Sequence, residues 1–309
     1  MPILSIVLET FNAQKEVKNK LAEVLEQLKL QTYPQEKMEI LIAIDPKSVE
    51  MISFLNTNYP QHQLVLVENS SYNNLKYFGL KAAKGDFVAL LDSDCIPSLG
   101  WAQSIVDTLG SGIDFVAGKT RYSRESWLSR LFSIFSFGDI YNNSKGEANR
   151  FAENNVAFSR AIVDQFKYDD RRKRYFGSSL ISSDLKSKNY KFVYNPKQAT
   201  VHFDEGLINQ FEMRFRSGHD AVMVSRNDTT GVVPETKYLK FGLAFPFIIA
   251  ARRIVHDLFV LTKNRQDLDI SLPEVPLFLI GCVFFRLFEI IPGVITIIHP
   301  TYLKKKYDW

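Results

Sequence analysis

Cysteine is scarce in this chain: Cys95 and Cys282 are the two present in 309 residues. Two thiols make no disulfide framework, so the sequence reads as one suited to a reducing compartment. Net charge is also small, +4 at neutral pH, which argues against a diffuse nucleic-acid footprint and leaves nucleic acid out of the expected partners. The positive charge that exists is concentrated in Arg171-Arg172-Lys173-Arg174 and Lys304-Lys305-Lys306. No internal repeat and no low-complexity linker interrupts the chain. The first residues lack a basic region ahead of their apolar run and a cleavage pattern after it, from which a cytoplasmic catalytic part is expected. With 46% apolar residues and 13% aromatic ones, a substantial core is available.

The first ninety residues alternate between two hydrophobic periods. Residues 3–8, 39–44, 64–67 and 87–91 are short, continuous apolar runs of strand length. Between them, residues 15–30, 48–58 and 73–83 carry helical patterning; Val17, Leu21, Val24, Leu25 and Leu28 fall on one face. Strands alternating with helices predict an α/β fold with a mostly parallel sheet and right-handed crossovers. Strands buried on both faces account for the unbroken apolar character. In such sheets ligands bind beyond the carboxyl ends of the strands. The polar residues ending these four runs, Glu9-Thr10-Phe11-Asn12, Asp45, Glu68-Asn69 and Asp92-Ser93-Asp94, are therefore predicted to converge on one rim. Farther along, residues 115–120 read as a strand, 127–137 as an apolar-faced helix, and 192–194 and 200–203 as short strands flanking Asn195-Pro196.

Asp92-Ser93-Asp94 carries the sharpest chemical signal. Two carboxylates one residue apart on a turn place oxygens around one hard divalent cation, Mn²⁺ or Mg²⁺, alongside phosphate oxygens and water. Such a cation neutralises charge developing on a diphosphate leaving group.

The stretch from Ala83-Lys84-Gly85-Asp86 through Asp92-Ser93-Asp94-Cys95-Ile96-Pro97 resembles the metal-binding strand of family 2 glycosyltransferases. Ser5-Ile6-Val7-Leu8-Glu9-Thr10-Phe11-Asn12 resembles that family's opening strand and nucleotide-binding turn, with Glu9 where a proline is usual. Asp45 falls near the family's base-binding aspartate, and Lys76, Tyr77 and Gly79 fall where Arg-Asn-x-Gly is frequent. Asn154-Asn155-Val156-Ala157-Phe158-Ser159-Arg160 resembles the acceptor-side loop before a helix, and Val201-His202 a strand ending in histidine. The resemblance spans about residues 3 to 220.

It implies a GT-A-like fold, a UDP- or GDP-linked sugar donor, a divalent metal, and transfer with inversion to a glycan or glycolipid. Glu9, Thr10, Phe11, Asn12, Asp45, Lys76, Asp92 and Ser93 then form the nucleotide-binding set. Asp92, Asp94 and His202 form the metal set, with Asp94 the direct ligand and Asp92 turned more toward ribose or water. Imidazole suits Mn²⁺ better than Mg²⁺. Inversion needs a base for the acceptor hydroxyl. The family's Glu-Asp pair is replaced here by Phe176-Gly177-Ser178-Ser179, so the candidates are Asp184, on a predicted helix over 180–188, and Glu153 in the preceding loop. Two other readings stay open. A nucleotidyltransferase would carry a glycine-rich phosphate loop after the first strand, which Glu9-Thr10-Phe11-Asn12 lacks. A catalytically degenerate binding or scaffold subunit is suggested by Ser178-Ser179.

The chain changes character near its end. A catalytic domain is expected over 1–225 and a helical segment over 226–309. Residues 241–251 are too short an apolar run to span a bilayer. Residues 275–298 are long enough but include Arg286, Glu289 and Pro292-Gly293. With Arg252-Arg253, Arg265 and the Lys304 cluster beside them, these helices are expected to lie at a membrane interface. The protein is thus expected as a peripheral or C-terminally anchored one at the inner face of a membrane.

Overall fold

The computed structural model describes residues 1–11, 17–68, 70–123, 126–138, 140, 146, 148, 150–165, 181–182, 185, 187–203, 206–228, 233–265, 268–304 and 306–307. The chain divides into two compact units, each discontinuous in sequence: Met1–Arg121 with Ile140–Phe203, and Tyr122–Asp139 with Asp204–Trp309.

The first unit is built on an eight-stranded sheet. Its amino-terminal half alternates β1 (Leu4–Glu9), α1 (Val17–Lys29), β2 (Met38–Ile44), α2 (Val49–Asn58), β3 (Gln63–Leu66), α3 (Tyr72–Ala82) and β4 (Phe87–Asp92). These four strands are parallel, in the order β3-β2-β1-β4. Every residue of β1 is buried, as a strand covered on both faces requires. Helix α1 lays Leu21, Val24, Leu25 and Leu28, all fully buried, onto the same core as Ile6, Leu8, Ile42 and Leu91. After β4 come β5 (Cys95–Pro97), α4 (Trp101–Gly110), β6 (Phe115–Tyr122), β7 (Asn155–Ser159), α6 (Arg160–Val163) and β8 (Phe192–His202); α5 (Trp127–Phe137) belongs to the second unit.

Here the sheet turns antiparallel. Strand β7 inserts between β4 and β6, antiparallel to both, and β5 pairs antiparallel with β8. Two expectations change. Residues 154–160, read as a loop, contain a central strand, because Val156, Ala157 and Phe158 bury completely between β4 and β6. The two short strands expected around Asn195-Pro196 are one eleven-residue strand. On the β5 side its register runs from Thr200 to His202, so Pro196 lies outside that ladder. Asn195 is tied instead to α4, through Thr108 Oγ1 (2.8 Å) and the Ser104 carbonyl (3.3 Å).

The second unit is helical: α5, α7 (Leu207–Asn227), α8 (Phe245–Lys263) and α9 (Val275–Ile298), with 3-10 turns at Thr236–Ala244 and Leu272–Glu274. Its interior holds charge. Arg286 donates to both oxygens of Asp257 (2.7 and 2.9 Å) and to Glu289 (2.9 Å). Glu289 also receives Arg253 (2.6 Å) and Arg214 (3.4 Å). Burial alone pushes Glu289 up, but the three guanidiniums outweigh it and hold the carboxyl at about 2. The pairing of Arg286 with Glu289 is thus part of a larger network joining α7, α8 and α9. Segment 272–298 is long and apolar enough to cross a membrane, by length and composition.

Close backbone approach sets the spacing of α7 and α9. A Cβ at Gly218 would lie 2.0 Å from the Glu289 carbonyl oxygen and 2.8 Å from Pro292 Cγ. Gly218→Ala is therefore expected to force the two helices apart and to cost about 1–3 kcal/mol. The check is a lower urea midpoint by circular dichroism; an unchanged midpoint would mean that the contact is readily relieved.

Candidate active site

The sheet order places a topological switch point between β1 and β4, since β1 is followed by β2 on one side and β4 lies on the other. Their carboxyl ends are in register, Glu9 opposite Asp92. Both side chains are buried, as are Thr10, Ser93, Asp94 and Lys76. Six polar residues are thus gathered where the core ends.

Lys76 organises this group. It lies on α3, whose first turn is capped by Ser71 accepting from the Asn74 N–H. Its ammonium donates to Asp92 Oδ1 and to the Glu153 carbonyl oxygen, and it sits 4.6 Å from the Tyr72 ring centroid. Burial works against the charge on Lys76, but Asp92, Glu9 and Glu153 outweigh it and hold the ammonium above its ordinary value. One helical turn earlier, the Tyr72 hydroxyl lies 3.2 Å from each oxygen of Asp92. The Asp92 carboxylate is therefore gripped from one helix face by a phenol and an ammonium. Glu9 accepts from the Phe11 N–H, and Thr10 donates to the Ala43 carbonyl (3.0 Å). Burial, then the charge of Asp92, push Glu9 up to about 8 against the pull of Lys76.

Asp94 is held differently. Strand β5 starts at the next residue and pairs Cys95 with His202. The Phe203 N–H donates to the Asp94 carbonyl (2.9 Å), while His202 Nδ1 lies 2.7 Å from the Phe203 carbonyl. A ring N–H at Nδ1 leaves Nε2 with its lone pair toward Asp94 Oδ1, 3.5 Å away. Ligand atoms of Asp94, Cys95 and His202 lie within 4.8 Å of one another. Burial, then Asp94 and Asp92, push the Cys95 thiol well up, and it belongs to the hydrophobic core with Leu91 and Trp101. A carboxylate and an imidazole remain as the donor pair, which suits Mn²⁺. Among the described residues, Ser93 Oγ is enclosed beside them with no hydrogen-bond partner. A buried hydroxyl left over in this way fits a site completed by a ligand.

The remaining predicted residues divide. Asp45 sits half-buried beyond β2; Ser70, then the Lys47 N–H, hold its carboxyl below the ordinary range. Phe11 is half-buried and meets Tyr72 edge-on at 6.3 Å between centroids. Glu153 lies in the turn before β7, and its charge acts on Lys76. Asn12, Asp184, Ser178 and Ser179 lie outside the described residues.

Sequence reasoning missed Tyr72, whose signal was its place four residues before Lys76 on one helix. It also missed the amide network under the site. Asn155 accepts from Trp101 Nε1 (2.8 Å) and Gln198 Nε2 (2.9 Å), and donates to the Gln198 carbonyl (2.9 Å). Its neighbour Asn154 presents its carbonyl to the Asp92 N–H (3.4 Å).

The family model described as Glycosyl transferase family 2 matches residues 5–173. No protein of curated function matches the chain. Among solved structures, the fold is similar to that of the mannosyltransferase PcManGT from Pyrobaculum calidifontis in complex with GDP-Man and Mn²⁺. That match has a TM-score of 0.59 and 16% identity, and covers 97% of this chain and 88% of that one.

Glu9 gives the site a pH signature. The folded protein keeps a proton near pH 8 that the unfolded chain releases near 4.5. Its contribution to stability falls as pH rises through that window, by up to about 1.4 kcal/mol per pH unit. Glu9→Gln, which cannot ionise, is expected to lessen the decline, read from urea midpoints between about pH 6 and about pH 8.5 in chelating buffer. An equal decline in both proteins would assign that proton to another group.

Proposed function

Because the chain belongs to glycosyl transferase family 2, matched over more than half its length, we propose that it transfers a sugar from a nucleoside-diphosphate donor to a glycan or glycolipid acceptor, with inversion at the anomeric carbon. The observation that carries this reading is the pairing of Asp94 with His202 at 3.5 Å beside an Asp92 held by Lys76 and Tyr72. Asp94 Oδ1 and His202 Nε2 would hold the metal, which supplies charge neutralisation at the donor diphosphate. The Asp92 oxygens already receive two donors, so Asp92 serves as an acceptor for ribose or water rather than as the principal metal ligand.

Phe11 and Asp45 take the nucleotide's base, one by its ring face and the other by hydrogen bonding. Thr10, Asn12 and Ser93 complete the nucleotide set, with Glu9 shaping the turn through the Phe11 N–H. Lys76 keeps positive charge at the rim, where the diphosphate's negative charge grows as the glycosidic bond breaks. The donor is UDP- or GDP-linked. GDP is the first to test, since the mannosyltransferase of similar fold was solved with GDP-Man and Mn²⁺.

Glu153 is assigned as the base that takes the acceptor hydroxyl's proton. Two observations support it: its backbone carbonyl accepts from Lys76, and its charge acts on that ammonium. Its substitution separates base from binder: Glu153→Gln is expected to lower kcat by about 10²–10⁴ with donor affinity kept. The same loss in Asp184→Asn, with Glu153→Gln active, would move the role to Asp184.

Calorimetry tests the donor site directly. GDP or UDP is expected to bind in the presence of Mn²⁺ and to lose most of its affinity in Asp94→Asn, folding being checked by circular dichroism. Failure of UDP, GDP, CDP and dTDP alike to bind the folded wild-type protein would overturn donor binding and favour a degenerate scaffold.

A further inference from the structure

The helical unit has an apolar outer face with its own chemistry. On α9 the side chains turned inward are Phe278, Cys282, Phe285, Arg286, Glu289, Pro292 and Thr296, all buried. On the opposite side Leu277, Ile280, Phe284, Leu287, Ile291 and Ile298 are each more than half exposed. Their spacing of three, four and finally seven residues draws a stripe along a helix about 36 Å long. Helix α8 repeats the arrangement with Phe247, Val255, Leu258 and Phe259 exposed, and Phe241 and Leu243 extend it into the preceding 3-10 turn. A water-facing surface rarely carries so many large apolar side chains in continuous rows.

The border of this face is cationic and aromatic. Among the described residues between Thr236 and Lys304, the exposed cations are Lys237, Lys240, Arg252, Lys263 and Lys304, and the exposed acid is Asp269. Glu274, next to the face, is neutralised by Arg130 (2.9 Å). Exposed Trp127 lies 6.2 Å from Phe278 near the start of α9, and Tyr302, 71% exposed, follows the end of that helix. Indole and phenol rings at the two ends match the headgroup level of a bilayer. A second copy of the chain would bring two cationic borders together, whereas an anionic lipid surface complements one.

Length alone would let α9 cross a bilayer, but its inward face forbids that. Arg286 and Glu289 lie midway along it, bound to Asp257 and Arg253 of α8 and to Arg214 of α7. Drawing α9 into a span would strip these charges of their partners in a medium with no water to replace them. Lying flat satisfies both faces, with charges kept inside the unit and the apolar stripe turned to lipid.

We propose that the second unit docks in the plane of an anionic membrane leaflet through the outer faces of α8 and α9, without crossing it. This docking needs neither nucleotide nor metal, so it stands or falls apart from the transfer reaction.

Co-sedimentation of the purified full chain with vesicles, in chelating buffer without nucleotide, tests it. Vesicles of phosphatidylcholine alone are compared with vesicles that also contain phosphatidylglycerol. Binding is expected to require phosphatidylglycerol and to weaken with salt. Neutralising Lys237→Gln and Lys240→Gln should lower the partition coefficient about fivefold per residue. Ile280→Asp with Leu287→Asp, both outside the packed interior, should abolish binding while circular dichroism stays unchanged. Alkaline carbonate should release bound protein, and retention through that wash would overturn docking without crossing. Equal binding to both vesicle types would overturn the anionic requirement. A dimer by light scattering that the double aspartate variant dissociates, with no vesicle binding in wild type, would assign the face to a second copy instead.

Discussion

A single buried ammonium conditions the candidate site. Glu9, Asp92 and Asp94 converge where β1 and β4 end, and three carboxylates in a desolvated corner repel one another strongly. Lys76 answers that with one positive charge placed against Asp92 and within reach of Glu9 and Glu153. One cation does not balance three acids, and Glu9 is pushed up to about 8 by burial first and then by the charge of Asp92. The corner is thus left with acidic character on the side of Asp94 and His202, where a divalent cation would restore balance. Structural need and chemical use coincide there: what makes the corner costly to fold also suits it to a metal and a diphosphate.

The helical unit solves the same problem without a ligand. Arg214, Arg253 and Arg286 meet Glu289 and Asp257 inside a bundle whose other contacts are largely aromatic, among them Phe132, Phe135 and Phe211 around Phe285. Breaking one partner of such a network is costly, whereas replacing all of it by apolar residues is often neutral. Here the network lies on the face of α9 that turns inward, away from the exposed apolar stripe.

The sequence showed the parallel half of the fold plainly, because strands covered on both faces leave continuous apolar runs and their crossovers leave helical periodicity. The rim followed from those runs, and Glu9, Asp45, Asp92 and Asp94 do stand at strand ends. The antiparallel half was harder to see. Strand β7 is five residues long and opens with Asn155, whose amide is satisfied by residues far away in sequence. Tyr72 was passed over for a similar reason: its partner Asp92 lies twenty residues on, and local pattern carries no trace of that bond. The exposed face of α9 was equally hidden, since a helix with apolar residues around its whole circumference does not announce which side is packed.

Discontinuity of the two units bears on how this chain can be cut. Helix α5 lies in sequence before β7 and β8, yet its packing partners lie after them: Leu131 meets Gly281, and Phe132 and Phe135 meet Phe285. A truncation that removes the apolar C-terminal helices to obtain an easily handled catalytic fragment would leave α5 in place with its greasy side uncovered. The shortened product would trade one sticky surface for another, in the middle of the chain where no second cut can remove it without interrupting the sheet. Handling the protein whole, in lipid or a mild detergent, keeps every apolar helix with the neighbour it was built against.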